Sequence, residues 1–356
     1  MMAQARADRD FCAAMLPKVS RTFAACIGLL PQPVQHRVLI AYLLCRIADT
    51  VEDCARMPAG RKRELLAAFR ASLDEGGGAV PGLAEAFAEP ANADELLTRE
   101  VDCTLREFRF FPRQAREAIR PWVQEMCDGM SGYAGLQPRP DAFQALERVA
   151  DLDRYCWFVA GTVGHLLTEL FRVHSPRIDA ARHARLKACA TDFGLGLQLV
   201  NIIKDVADDR VRGWSFVPRE LCLECGFTPE ELLAPHRRGE ADAVMRRLIA
   251  KARGHLDGAL QYCLELPAAD YRLRLFCLAP LYFAIRTLAR AEADPRLLDP
   301  AHKVKISRRE VYRTLAAGFL VAPSNTLVAG YYRQLAGAST STSTDRAAPS
   351  TSTLPR

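Results

Sequence analysis

The chain has 356 residues, of which 49% are hydrophobic, enough to bury one large core or two smaller ones. Its net charge of +6 does not distinguish among a nucleic acid, a membrane face and an anionic substrate as the partner. No stretch reaches the roughly 18 to 20 apolar residues that span a bilayer, and the N-terminus mixes acids and bases, unlike a signal or transit peptide. The composition therefore predicts a cytoplasmic protein that meets membranes at most peripherally.

Apolar residues recur with helical periodicity from about residue 6 to residue 334, and no alternating run of β-branched residues indicates a strand. The pattern predicts an all-α fold of roughly ten to twelve helices. Loops are expected at the proline- and glycine-rich breaks, which are 31–33, 74–81, 136–140, 175–176 and 212–219.

No shift in composition and no internal repeat divides the helical region, so we expect a single domain over residues 1–336. Residues 337–356 are rich in Ser, Thr, Ala and Pro, and they hold too little apolar surface to offset the entropy of ordering. This C-terminal segment is predicted to be a disordered tail.

A polar stripe interrupts the apolar helix predicted in LIAYLLCRIADTVED. Tyr42, Arg46, Asp49 and Asp53 are spaced i, i+4, i+7 and i+11, which places them on one face, with Glu52 beside Asp53. The other positions are apolar, so most of this helix should be buried, where a carboxylate needs a cationic partner or a metal. An exposed acidic face explains this pattern poorly.

The same pattern returns in GLGLQLVNIIKDVADD. Gln198, Asn201, Asp205 and Asp209 fall at i, i+3, i+7 and i+11, with Asp208 adjacent. Carboxylates one helical turn apart suit Mg²⁺, which commonly completes its octahedron with waters and phosphate oxygens. One such pair alone is more often a surface patch, but two stripes in apolar helices favour a clamp for a diphosphate.

Four segments together resemble the squalene/phytoene synthase family, namely SRTF at 20–23, DTVED at 49–53, YCWFVAGTVG at 155–164 and NIIKDVADD at 201–209. The resemblance implies a single isoprenoid-synthase helical bundle around a central cavity. It also implies a transferase that joins two prenyl diphosphates head to head with Mg²⁺, or Mn²⁺ in its place. Farnesyl diphosphate is the favoured substrate.

The resemblance assigns roles to individual residues. The metal ligands and diphosphate clamps would be Asp49, Glu52, Asp53, Asp205, Asp208 and Asp209. The catalytic residues would be Tyr155, Tyr42 and Arg46. The other substrate contacts would come from Ser20, Arg21, Phe23, Gln198, Asn201, Lys204 and Arg212.

A carbocation is quenched by water, so the rest of the cavity should be apolar and aromatic. The candidates for this lining are Phe23, Phe158, Phe193, Leu197, Phe276, Leu281 and Phe283. Gly164 either leaves room for an isoprenoid tail or lets two helices approach closely.

The C-terminal third bears on the product. Residues 273–290 and 304–311 resemble a region that squalene-forming members have beyond their phytoene-forming relatives, which favours reduction to squalene by NADPH. Lys303, Lys305 and Arg308 form a basic cluster for the phosphates of NADPH, although a solvated loop fits equally well and no Gly-rich fingerprint supports them. Leu281 stands where squalene-forming members carry Gln, so phytoene, dehydrosqualene and presqualene diphosphate stay open as products.

Two other classes of function are weaker. An inactive family member that serves as an assembly or binding protein would be expected to lack some aspartates, yet Asp49, Asp53, Asp205 and Asp209 are all present. A nucleic-acid-binding protein would gather its basic residues into a helix-turn-helix or an arm. We therefore expect an enzyme that binds no nucleic acid, and we expect a monomer.

Overall fold

The computed structural model describes residues 2–135 and 143–337, and the regular secondary structure of this part of the chain is almost entirely helical, which confirms the all-α class. The α-helices are α1 (Met2–Val19), α2 (Arg21–Ile27), α3 (Val34–Asp53), α4 (Ala59–Ser72), α5 (Pro81–Ala86), α6 (Ala93–Arg99), α7 (Val101–Arg109), α8 (Arg113–Tyr133), α9 (Val149–Cys156), α10 (Thr162–His174), α11 (Ala180–Val211), α12 (Arg219–Glu224), α13 (Arg238–Glu265), α14 (Tyr271–Ala293), α15 (Arg308–Val321) and α16 (Asn325–Leu335). A π-helical turn, Trp157–Gly161, joins α9 to α10, and the short 3₁₀ turns are Pro229–Glu231, Pro235–Arg237 and Ala268–Asp270.

The described residues hold sixteen α-helices, so the expected number of ten to twelve was wrong. The difference comes from short helices such as α5 and α6, which are too brief for a periodic apolar pattern to register. Pro81 begins α5 with its fixed backbone angle. The Asn92 side chain caps α6 by accepting a hydrogen bond from the Glu95 N–H at 3.0 Å.

Two very short strands were also not predicted. β1 (Gln144–Ala145) and β2 (Trp214–Ser215) pair in parallel, with Gln144 opposite Trp214. Two residues are too few to show an alternating pattern, so the sequence carries no signal for them. The pair fixes the segment that follows α11 against the segment that precedes α9.

The predicted loops at 31–33, 74–81, 175–176 and 212–219 all fall between helices, with Pro81 and Arg219 beginning the next helix in two of them. Gly213 ends α11 with a φ of 82°, a left-handed conformation that favours glycine. The predicted loop at 136–140 and the predicted tail after residue 337 lie outside the described residues. Within 2–135 and 143–337, no helix combines the length and the apolar character needed to cross a bilayer.

The helices that carry the two polar stripes lie at the centre of the bundle. On α3, Leu43, Leu44 and Ile47 are fully buried, and on α11, Leu199 and Ile203 are buried as well. The stripes are therefore enclosed by apolar packing on their other sides, as the sequence predicts.

Two glycines allow unusually close packing around α11. A Cβ atom added to Gly164 on α10 would lie 2.0 Å from the Ala190 carbonyl oxygen, and one added to Gly194 would lie 2.1 Å from the Ala160 carbonyl oxygen. Both distances are far below van der Waals contact, and a backbone atom cannot move away cheaply. Gly164 therefore lets α10 and α11 approach closely, which is one of the two roles expected for it.

This packing predicts different outcomes for two Gly→Ala substitutions in helices. Gly164→Ala should lower the free energy of unfolding by about 1–3 kcal/mol, because α10 and α11 must separate to admit the methyl group. Gly254→Ala on α13 is the matched control, since a Cβ there meets nothing within 4 Å, and it should be neutral or stabilising by up to about 1 kcal/mol. Urea unfolding measures both, and equal stabilities would contradict the close approach.

Candidate active site

A cavity of about 250 Å³ lies among α2, α3, α8, α10, α11 and α14. Its wall is mostly apolar and contains five polar side chains. Three of them, Tyr42, Arg46 and Asp49, come from the stripe on α3, and the other two, Gln198 and Asn201, come from the stripe on α11. The two polar stripes predicted from the sequence therefore meet at one cavity.

The polarity of the wall changes along both central helices. On α3, Val38 and Ala41 precede the polar stripe, and on α11, Phe193 and Leu197 precede Gln198. In both helices the remaining acidic residues of each stripe follow further toward the C-terminus. The cavity therefore has an apolar body and a polar side, next to which the carboxylates accumulate.

Four of the seven predicted apolar lining residues lie on the wall, and these are Phe23, Phe193, Leu197 and Phe276. The other three do not line it. Leu281 and Phe283 are buried elsewhere in the core, and the Phe158 ring packs against Gly129. Helix α14 is buried on most sides, so its apolar pattern cannot indicate that Phe276 and Pro280 are the residues facing the cavity.

Arg46 is held between two carboxylates at the cavity wall. Its Nε donates to Asp94 Oδ1 at 2.7 Å, and its Nη1 lies 3.7 Å from Asp49 Oδ2. Burial raises the pKa of Asp49 to about 7, Arg46 acts against this rise, and Asp53 and Asp94 add to it. This arrangement fixes the direction of the guanidinium and crowds carboxylates around it.

Glu52 lies deeper beside this group. Burial raises its pKa, and so does the neighbouring Asp53. A fully buried lysine, Lys62 on α4, lies next to it and donates from Nζ to the Glu52 backbone oxygen at 2.5 Å. Burial lowers the pKa of Lys62, whereas the attraction of Glu52 and Asp53 raises it. Lys62 therefore supplies a positive charge beneath the first acidic stripe.

The second acidic stripe carries its own cations. Lys204 forms an ion pair with Asp205, and Arg212 Nη1 lies 3.9 Å from Asp209 Oδ1. Burial raises the pKa of Asp209 to about 6, and repulsion from Asp205 contributes. Asp205 and Asp209 thus form a carboxylate pair one helical turn apart.

Asp208 has a different partner. Lys303 Nζ lies 2.6 Å from Asp208 Oδ2, and this contact lowers the pKa of Asp208. The structure thus brings together a predicted metal ligand and a predicted cofactor residue. The other two predicted cofactor residues are exposed, Lys305 in the segment before α15 and Arg308 as the first residue of α15.

The predicted N-terminal substrate segment packs against the first stripe. Ser20 caps α2 by accepting a hydrogen bond from the Phe23 N–H at 3.2 Å. Burial raises the pKa of Tyr42, and the Ser20 side chain acts to lower it. The Phe23 and Tyr42 rings lie 5.3 Å apart. Arg21, at the first position of α2, is exposed.

Tyr155 lies outside the cavity wall, in an aromatic group. Its ring centroid is 5.3 Å from that of Tyr133 and 4.7 Å from that of Phe216. Burial raises the pKa of Tyr155 well above its usual value, and Glu52 and Asp53 raise it further. The phenol therefore keeps its proton at neutral pH and lies within the electric field of the first acidic stripe.

No group of three or more His, Cys, Asp or Glu side chains within residues 2–135 and 143–337 is arranged to hold a metal ion by itself. The carboxylates are divided between the two stripes. A cation at either stripe would need additional ligands from water or from a bound anion.

The sequence model of the squalene/phytoene synthase family matches residues 16–310. The chain belongs to this family. Squalene synthase of Schizosaccharomyces pombe is 31% identical over 294 residues, which is 83% of this chain and 62% of that protein. The chain spans less than two thirds of the length of the curated relatives it matches.

Solved structures agree with the family assignment. A complex of TcSQS with the ligand E5700 has a TM-score of 0.78 at 26% identity, and the match covers 93% of this chain and 91% of that chain. A dehydrosqualene synthase in complex with a ligand has a TM-score of 0.62 at 21% identity and covers 89% of this chain and 96% of that chain, which shows the fold alone.

Asp94, Lys62, Tyr133 and Phe216 adjoin the predicted site residues of this family member but were not predicted. Asp94 stands in the first turn of a short helix, where an acid is ordinary, and Lys62 stands in the basic run GRKR, which reads as a solvated surface. Phe216 lies in the segment 214–218, directly after the second stripe, within the loop predicted at 212–219.

The burial of Lys62 predicts a stability effect that a surface lysine should not show. Lys62→Met keeps most of the aliphatic volume but removes the donor to the Glu52 backbone carbonyl and the amino group beside the carboxylates of Glu52 and Asp53. The free energy of unfolding should fall by about 1–3 kcal/mol. Lys251→Met is the control. It removes an ion pair with Asp153 at 2.7 Å that is more exposed to solvent, so the free energy of unfolding should fall by less than about 1 kcal/mol. If urea unfolding gave both variants the same free energy of unfolding, Lys62 would not offset the negative charge of the first acidic stripe.

Proposed function

We propose that this protein condenses two molecules of farnesyl diphosphate head to head in a Mg²⁺-dependent reaction and reduces the presqualene diphosphate so formed to squalene with NADPH. The observation that carries the proposal is that the two polar stripes meet at one otherwise apolar cavity, where Asp49 of the first stripe and Asn201 of the second line the wall. The squalene synthases among the relatives support it further.

Mg²⁺ suits the residues of both stripes. Asp49, Glu52 and Asp209 have raised pKa values because burial and neighbouring carboxylates disfavour their charged forms. A divalent cation would remove that penalty, and carboxylate oxygens are the donors that Mg²⁺ prefers. Each stripe offers few carboxylate ligands, so water and diphosphate oxygens would occupy the other coordination positions of the metal. Mn²⁺ accepts the same donors.

The cationic side chains would bind the two diphosphates beside the metal. Arg46, whose direction Asp94 fixes, lies at the first stripe, and Arg21 is exposed at the neighbouring start of α2. Lys204 and Arg212 lie at the second stripe. Positive charge that is already in place stabilises a departing diphosphate without reorganisation, and this would lower the barrier to ionisation.

The apolar body of the cavity would hold the isoprenoid chains and exclude water. After the first diphosphate leaves, the C2–C3 double bond of the second substrate would attack the allylic cation. Loss of a proton would then close a cyclopropane ring. Aromatic rings such as Phe23, Phe193 and Phe276 on the wall would shield the cation.

Tyr155 and Tyr42 are the proposed groups for proton handling. Burial raises the pKa of both phenols, so each is a neutral hydrogen-bond donor at working pH. Tyr42 lies on the cavity wall, and Tyr155 lies behind it beside the first acidic stripe. We propose that Tyr155 directs the proton released in the first half-reaction toward the departing diphosphate.

The second half-reaction requires a reductant. Loss of the second diphosphate would open the cyclopropane, and NADPH would supply hydride to the resulting cation. Lys305 and Arg308 are exposed and fit the dinucleotide phosphates, and Lys303 would have to leave Asp208 to join them. If no hydride arrived, loss of a proton would give dehydrosqualene.

The deciding assay incubates the purified protein with farnesyl diphosphate and Mg²⁺, with and without NADPH, and identifies products by mass spectrometry. We expect squalene only when NADPH is present, and no product after chelation of the metal. A triene or presqualene diphosphate in both reactions would assign a sister activity of the family. No product from farnesyl or geranylgeranyl diphosphate would refute the enzymatic proposal.

The two stripes should be separately essential. Asp49→Asn and Asp205→Asn should each reduce turnover at least about a hundredfold, because each removes a charged oxygen ligand from one diphosphate site. Neither should change the melting temperature greatly. Asp128→Asn is the matched control, since Asp128 pairs with Arg70 at 2.8 Å outside the cavity. Wild-type turnover in either stripe variant would exclude a clamp built from both stripes.

A further inference from the structure

The outer surface of α15 and the start of α16 expose several large apolar side chains. Tyr312, Phe319 and Leu320 on α15 are 70%, 49% and 79% exposed, and Leu327 on α16 is 53% exposed. Nine large apolar residues are exposed in the part of the chain that the structure describes, and four of them lie within the sixteen positions 312–327. Apolar side chains concentrated in this way mark an interaction surface.

These residues of α15 share one face of the helix. Tyr312, Ala316, Phe319 and Leu320 are spaced i, i+4, i+7 and i+8. The opposite face is the one that packs on the protein, since Thr314 and Gly318 are buried, and a Cβ added to Gly318 would lie 3.1 Å from Leu275 of α14. The exposed residues are therefore directed away from the core.

Arginines lie on the same outer face. Arg309 and Arg313 precede Ala316 and Leu320 at i, i+4, i+7 and i+11, and both arginines are exposed. Between residues 307 and 337 the sequence has one acid, Glu310. Its carboxylate is engaged by Arg286 and Arg290 at 3.4 and 2.8 Å. The face is therefore both apolar and cationic, with no exposed acid.

We propose that this docking face, made of Arg309, Tyr312, Arg313, Ala316, Phe319 and Leu320 together with Leu327, binds peripherally to an anionic lipid surface. A helix with apolar side chains beside arginines suits the boundary between headgroups and acyl chains. The apolar groups enter the boundary, and the guanidinium groups reach the lipid phosphates on their flexible stems.

Two other occupants fit the face less well. A second copy of the chain would place Arg309 and Arg313 against their own counterparts with no acid to neutralise them. The C-terminal segment 338–356 has one large apolar residue, Leu354, and so has too little apolar surface to cover four exposed side chains. A lipid surface offers both the anionic charge and the apolar depth.

The test measures co-sedimentation of the full chain with phosphatidylcholine vesicles, with and without phosphatidylglycerol. We expect salt-sensitive binding that requires phosphatidylglycerol. Arg309→Gln with Arg313→Gln should weaken it about 25-fold, from about fivefold for each charge near the surface. Phe319→Ser with Leu320→Ser should weaken it at least about tenfold, because two apolar anchors are lost.

Matched controls lie on other surfaces. Leu223→Ser changes a side chain of α12 that is 56% exposed, and Arg246→Gln changes an exposed arginine of α13. Both should bind vesicles as the unmodified chain does. Leu320→Ser alone, at the most exposed position, replaces the double variant if that variant melts at a lower temperature.

Three results would overturn the inference. The first is that the unmodified chain does not sediment with anionic vesicles, and the second is that the face variants and the controls bind alike. The third is a dimer in analytical ultracentrifugation that Phe319→Ser with Leu320→Ser dissociates, which would make a second copy the occupant. Lipid binding by the docking face is separate from the proposed reaction. The vesicle assay contains no prenyl substrate, so the lipid-binding proposal and the enzymatic proposal can fail independently.

Discussion

The structure depends on holding several carboxylates close together beside an apolar cavity. Burial and repulsion from neighbouring carboxylates raise the pKa of Asp49 to about 7 and that of Asp209 to about 6. The fold therefore destabilises the ionised form of both side chains. Neighbouring cations reduce the cost. Arg46 and Lys62 lie at the first stripe, and Lys303 reaches the second from a loop far along the chain.

The packing around this charge explains much of the helical arrangement. Because α3 and α11 are apolar on the faces away from their stripes, they lie at the centre, and the remaining helices enclose those apolar faces. Close approach at Gly164 and Gly194 brings α10 and the π-helical turn against α11. The wall of the cavity is therefore built largely from helices and has few parts that loops could rearrange.

The sequence predicted the features that repeat along one helix, and it missed those that depend on contacts between distant segments. Spacing alone placed Tyr42, Arg46, Asp49, Gln198 and Asn201 on faces that do meet at the cavity. Asp94 and Lys62 were missed because each looks ordinary within its own helix. Phe276 could not be separated from Leu281 and Phe283, since the uniformly apolar α14 has no periodic pattern that reveals which side faces inward.

The change from an apolar body to a polar side in the cavity has a consequence for turnover. Under the proposed reaction, each substrate is an amphiphile whose anionic head is tethered at a stripe while its tail lies in the apolar body. The product is a hydrocarbon with no head, so once both pyrophosphates depart, nothing in the stripes retains it. Product inhibition should then come from pyrophosphate, which the same carboxylates and cations are built to hold, and much less from the hydrocarbon.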